Sequence, residues 1–125
     1  MEIKLDMDNE VVILEPAGNL VASTAEELKA QIARLITKKF LFVLLDLGRV
    51  VFIDSSGLGA CIGIKRDLAA ANGLLVCTGL SESVRKVFHM TRADQKIVIM
   101  DSRQNAVAAL LDWKQRAEGA RQVEG

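Results

Sequence analysis

The stretch VLLDLGRVVFIDSSGLGACIGI, residues 43–64, runs from a nearly unbroken apolar segment through a serine- and glycine-rich junction into a second apolar segment. Apolar residues over Phe40–Leu47, without polar alternation, are the pattern of a strand covered on both faces. Gly48–Asp54 then reads as a loop, and Ser56–Ala71 as a helix that Gly73 ends. A buried strand, a loop and a helix in succession are the repeating unit of an α/β domain on a mostly parallel sheet.

The flanking segments continue that alternation. Ile3–Met7 and Val11–Pro16 read as short strands joined by a tight turn at Asp8–Asn9. Pro16 cannot donate to a ladder, so it is expected at a sheet edge or strand end. Ser23 is expected to open a helix, since Ser23 with Glu26 and Thr24 with Glu27 both have capping-box spacing. Ala25, Leu28, Ile32, Leu35 and Ile36 follow as its buried stripe. Downstream come a strand at Leu74–Thr78, a short helix capped by Ser81 and ending near His89, and a strand at Lys96–Met100. A final helix starts at Asp101 or Ser102, turns Val107, Leu110 and Leu111 inward and ends near Ala117. Trp113 shares a face with Ala106 and Leu110 and is expected to pack in the core.

Composition narrows the function classes. The 125 residues suit one domain, and half of them are hydrophobic, enough for a real core. Lys and Arg total 16 and so do Asp and Glu, which excludes the broad basic footprint of a nucleic-acid binder. No apolar run is long enough to span a bilayer, so membrane insertion is not expected. The opening MEIKLDMDNE carries acids where a signal peptide has basic and apolar regions, and a cytoplasmic location is expected. Cys61 and Cys77 are too few for a disulfide scaffold and are expected to fill core space. One histidine and no C-x-x-C leave no metal-ligand set, and no cofactor motif is present.

Most of this would fit any small α/β domain; Asp54-Ser55-Ser56-Gly57-Leu58-Gly59 would not. Asp54 or Ser55 can cap the helix, leaving Ser56 in or beside a first turn whose backbone N–H groups lack partners. Negative charge is favoured there, so a phosphate on Ser56 would add about −1.5 to −2 charges without melting the helix, although spacing alone favours the plainer reading that Ser55 and Ser56 are only caps. Projection at about 100° per residue places Leu58, Cys61, Ile62, Leu68 and Ala69 on a core face. Ser56, Gly59, Ala60, Gly63, Asp67, Ala70 and Ala71 lie opposite, on a face nearly bare of long side chains. Interior glycines each cost about 1 kcal/mol relative to alanine, and either a flush surface that admits another protein's backbone or close packing against a neighbouring loop of the same domain would account for them; docking is the favoured reading. Ile64, at the margin, is the expected exposed apolar anchor.

These residues carry a family resemblance. Residues 43–64 resemble the signature of STAS domains, specifically the bacterial anti-sigma factor antagonists. Gly18-Asn19-Leu20, Asp46-Leu47, Leu80-Ser81 and Val84-Arg85-Lys86-Val87-Phe88 extend the match along nearly the whole chain. The resemblance implies a STAS domain over residues 1–118 followed by a flexible tail at 119–125. The implied fold is a four- or five-stranded mixed sheet with about four helices packed mainly on one side. It also implies a phosphorylation-controlled partner switch without enzyme activity of its own. The unmodified domain would bind an anti-sigma factor serine kinase and free its sigma factor; phosphorylation of Ser56 would release it, and a serine phosphatase would reset it. Asp54, Ser55 and Gly57 would form the phosphosite loop, and Leu58, Gly59, Ala60, Gly63, Ile64 and Asp67 the partner-binding set. One departure stands out: relatives commonly carry an acid just after the Gly-x-Leu turn, where this chain has Val21, and Asn19 is neutral where an acid is frequent.

Two other readings are weighed against this one. A STAS subunit could scaffold or regulate a transporter or stress-signalling complex without being phosphorylated. A hydrolase would need His89 beside Ser56, and the Gly-x-Ser-x-Gly elbow is absent.

Overall fold

Strands β1 (Glu2–Asp8) and β2 (Val11–Leu20) form an antiparallel hairpin in register from Glu2–Ala17 to Asp8–Val11. The structure, a computed structural model, describes the backbone of residues 1–124 and the side chains of residues 1–119. The turn lies at Asn9–Glu10, one residue later than expected, with φ of 53° and 71°, the positive values that a two-residue primed turn uses.

β2 is ten residues long because it serves two parallel partners in succession. Val12–Leu14 pair with β3 (Phe42–Asp46), and Ala17–Leu20 pair with β4 (Arg49–Ile53). Pro16 therefore sits inside a central strand, not at an edge. It falls between the two parallel ladders, opposite Ile3 of β1, where neither parallel partner needs its missing N–H. With β5 (Leu74–Thr78) and β6 (Val98–Met100) the order is β1-β2-β3-β5-β6, and β4 attaches to the far end of β2. The sheet thus has six strands. β4 is the one that read as a loop, since its order comes from backbone pairing with β2 and not from an alternating apolar pattern.

Pleating divides the core in two. Val12, Leu14, Val43, Leu45, Leu75 and Cys77 face one side, covered by α1 (Ala22–Thr37), α2 (Ser55–Ala70) and α3 (Glu82–Met90). Val11, Ile13, Phe42, Leu44 and Val76 face the other, covered by Ala106, Val107 and Leu110 of α4 (Arg103–Glu124). β3 is buried on both faces, as its unbroken apolar run requires. Arg103 fastens the start of α4 to the sheet, donating to Asp46 Oδ2 at 2.7 and 3.1 Å and to Glu15 Oε2 at 2.9 Å.

Three local expectations are corrected. α1 begins at Ala22 with Val21 as its N-cap; Thr24, not Ser23, supplies the cap chemistry, accepting the Val21 N–H at 2.9 Å and donating to the Asn19 carbonyl at 2.7 Å. α4 continues past Ala117 and past the boundary at residue 118, its backbone helical to Glu124; Gly125 lies outside the described residues. Trp113 is 52 % exposed. The inward stripe of α4 is centred between Val107 and Leu110, with Lys114 and Ala117 continuing it, so Trp113 falls at its margin and most of its ring is left uncovered.

Candidate functional site

The site is assembled where β2 and β4 end and α1 and α2 begin. Asp54 is extended (φ −110°) and caps α2, its Oδ1 accepting the Gly57 N–H at 2.9 Å while its carbonyl accepts the Leu58 N–H at 2.9 Å. Its own N–H donates to the Leu20 carbonyl at 3.3 Å, tying the α2 cap to the end of β2. Ser55 and Ser56 are the first two helical residues, both exposed. Their N–H groups are among those a helix leaves without intrahelical partners. Asp54→Ala is expected to cost about 1 kcal/mol, read as a lower urea midpoint with an unchanged slope.

Gly57 shows why the turn needs glycine. A Cβ there would lie 2.1 Å from the Leu20 carbonyl oxygen, so a side chain would force the start of α2 away from β2. Seated this closely, α2 runs beside α1. Between them lies a shallow groove of about 230 Å³, lined by Ala22, Ala25, Glu26 and Lys29 of α1 and by Ser56, Gly59 and Ala60 of α2.

Of the residues singled out from sequence, Ser56, Gly59 and Asp67 are exposed and Asp54 and Gly63 are half-buried. The docking set needs correction at three positions. Leu58, Ala60 and Ile64 are buried, with Ile64 only 1 % exposed, and all belong to the main core. Conversely, Ala69, assigned to the core face, is exposed, and Ile62 is half-buried. The cause is that α2 packs on two neighbours, the sheet and α1. Its buried arc therefore takes in Gly57, Leu58, Ala60, Cys61, Ile64 and Leu68, wider and rotated relative to a helix covering a sheet alone.

The exposed apolar residues near the motif lie instead on β4. Val51 and Phe52 are 69 % and 52 % exposed, immediately before Ile53 and the Asp54 cap. The β2–β4 register shifts here: Gly18 faces Val50 and Asn19 faces Phe52, leaving Val51 as an extra residue. A bulge of this kind breaks the inside–outside alternation and turns two successive side chains outward. The signal in the sequence was the apolar run Val50–Ile53 leading into the serines; the outward turn depends on the partner strand.

The remaining candidates separate cleanly. His89 is exposed and its Nδ1 lies 3.0 Å from Asp94 Oδ2, so its partner is that carboxylate and not the Ser56 hydroxyl. Cys61 and Cys77 are free and buried in the main core. Burial pushes the Cys61 thiol up to about 12, and burial reinforced by Cys61 raises Cys77 well above its ordinary value. Both stay protonated and unreactive at neutral pH. Among the described residues no cluster of His, Cys, Asp and Glu could hold a metal ion, and no helix is long and apolar enough to cross a membrane.

Comparison with known proteins places this geometry. The sequence model of the STAS domain matches residues 2–106. BtrV of Bordetella bronchiseptica is 31 % identical over 109 residues, covering 87 % of this chain and 94 % of its own. The anti-sigma-B factor antagonist of Listeria monocytogenes is 31 % identical over 91 residues, covering 73 % of this chain and 79 % of its own. Among solved structures, the Bacillus cell fate determinant SpoIIAA in its phosphorylated form superposes with a TM-score of 0.67 at 25 % identity, covering 86 % of this chain and 98 % of that one.

Proposed function

Because the chain belongs to the STAS domain family, we propose that it is an anti-sigma factor antagonist whose partner binding is switched by phosphorylation of Ser56. It is a regulatory binding protein of the cytoplasm, without catalysis of its own. The unmodified form binds an anti-sigma factor serine kinase, which gives up its sigma factor. The kinase then transfers the γ-phosphoryl of ATP to Ser56 Oγ; the bond to ADP breaks and the hydroxyl proton leaves to a base on the kinase. Hydrolysis by a serine phosphatase returns the hydroxyl and inorganic phosphate.

The observation that carries this reading is the position of Ser56. It is exposed on the first turn of α2, at the rim of the α1–α2 groove and on the same helix as the exposed Gly59. A dianion there must be desolvated when a close-fitting partner docks, which costs several kcal/mol unless the partner supplies matching cations. About 1.4 kcal/mol already weakens binding tenfold, so this domain need not refold to release its partner. The phosphorylated state described for SpoIIAA, a protein of similar fold, supports the reading.

The test uses the full chain immobilised and exposed to lysate of its native cells. Ser56→Ala is expected to retain a kinase of the anti-sigma type, and Ser56→Asp to lose it by tenfold or more. Intact mass of the chain from those cells is expected to show one added phosphoryl group mapped to Ser56. Equal capture by both variants, in a stoichiometric complex indifferent to ATP, would instead identify a scaffold or regulatory subunit.

A further inference from the structure

The switch described above would put a dianion on Ser56, and one cationic side chain on the neighbouring helix is placed to meet it. We propose that Lys29 is a positioning residue that holds the phosphoryl group of modified Ser56 in the α1–α2 groove; the inference rests on Ser56 being the modified residue.

The geometry follows from the topology. β2 and β4 are parallel neighbours, α1 follows β2 and α2 follows β4, so both helices start at the same end of the sheet. Side chains on a helix lean toward its N-terminus. Lys29, the eighth residue of α1, leans back from the start of the third turn toward Ser56 in the first turn of α2, and the two line one groove. The walls around them are Ala22, Ala25 and Gly59, small enough to leave room for a tetrahedral group.

The charges are suited to this role. The groups facing the groove are Glu26 and Lys29 from α1, with Asp54 at the cap of α2, its Oδ1 engaged by the Gly57 N–H. Neither Glu26 nor Lys29 has an opposite charge within 4 Å among the described residues, whereas the adjacent Glu27 is taken by the N-terminal ammonium at 2.8 Å. In the unmodified protein Lys29 offsets the charge of Glu26 on the same wall of the groove. Once Ser56 carries phosphate, Lys29 stabilises the dianion over the monoanion. It thereby reduces the singly charged share at neutral pH, where the second ionisation of phosphoserine, near pH 6, would otherwise leave about a tenth in that form.

The test needs no kinase. The full chain is made with phosphoserine installed at position 56 during translation, and its phosphorus resonance is followed against pH. Lys29→Gln is expected to raise the phosphate titration midpoint by about 0.3–0.5 pH unit at low salt, less in high salt, and Lys29→Arg to restore the parent curve. Lys29 lies on the exposed face of α1, so circular dichroism is expected to be unchanged. A Lys29→Gln curve that superimposes on the parent, or moves the other way, overturns the assignment while leaving the switch standing. Absence of Ser56 phosphorylation in native cells would sink the switch and leave the titration readable.

Discussion

Gly57→Ala is expected to destabilise the domain by about 3 kcal/mol, at the upper end of what overpacking costs. The added Cβ would meet the Leu20 carbonyl oxygen at 2.1 Å and its carbon at 2.8 Å. Both are backbone atoms that cannot rotate away, and the same carbonyl accepts the Asp54 N–H. The start of α2 must shift, loosening the cap and moving Ser56 at the groove. Gly59→Ala and Gly63→Ala are expected to behave oppositely, since neither new Cβ meets an atom within 4 Å. Each should stabilise the fold by up to about 1 kcal/mol through helix propensity and a less free unfolded chain. Urea denaturation separates the three. If Gly59→Ala also weakens capture of the partner while raising stability, that glycine is kept for close approach by another backbone; unchanged capture removes it from the docking surface.

Ile64→Ala is expected to cost about 3 kcal/mol of stability, the range for truncating a fully buried aliphatic side chain. The residue is 1 % exposed within the main core between α2 and its neighbours, and the cavity has few ways to collapse. Phe52→Ala is the matched contrast. More than half of that ring is in water, so its loss should change stability by less than about 0.5 kcal/mol. It lies exposed two residues before the Asp54 cap, so if the partner that docks at Ser56 also covers β4, its loss is expected to weaken partner capture by tenfold or more. A stable Phe52→Ala variant that binds normally would move the partner away from β4.

The legible part of this protein was local. Phe42–Leu45 announced a strand buried on both faces because no polar residue interrupts it. The stripe Ala25, Leu28, Ile32 and Leu35 announced α1 because helical spacing is a property of the segment itself. Asp54 and Ser81 announced two helix starts, since a carboxylate or hydroxyl two or three residues before an unpaired N–H needs nothing distant to bond it. The segment Asp54–Gly59 stood out the same way, as a helix start, while its reading as a phosphosite came from the family resemblance.

What was not legible depends on neighbours. Ala60 and Ile64 project away from the sheet-facing line of α2, yet α1 lies on that side and buries them. Val51 and Phe52 turn outward because β2 leaves one residue of β4 unmatched, and no reading of β4 alone contains that mismatch. Lys29 joins Ser56 only because two parallel strands start two helices side by side. The amino-acid order by itself determined the α/β class, most of the elements and the serine at the head of a helix, through spacings and caps acting within about ten residues. Tertiary structure alone decided which side chains around that serine are left exposed, because burial is set by what packs opposite a residue, and that comes from distant parts of the chain.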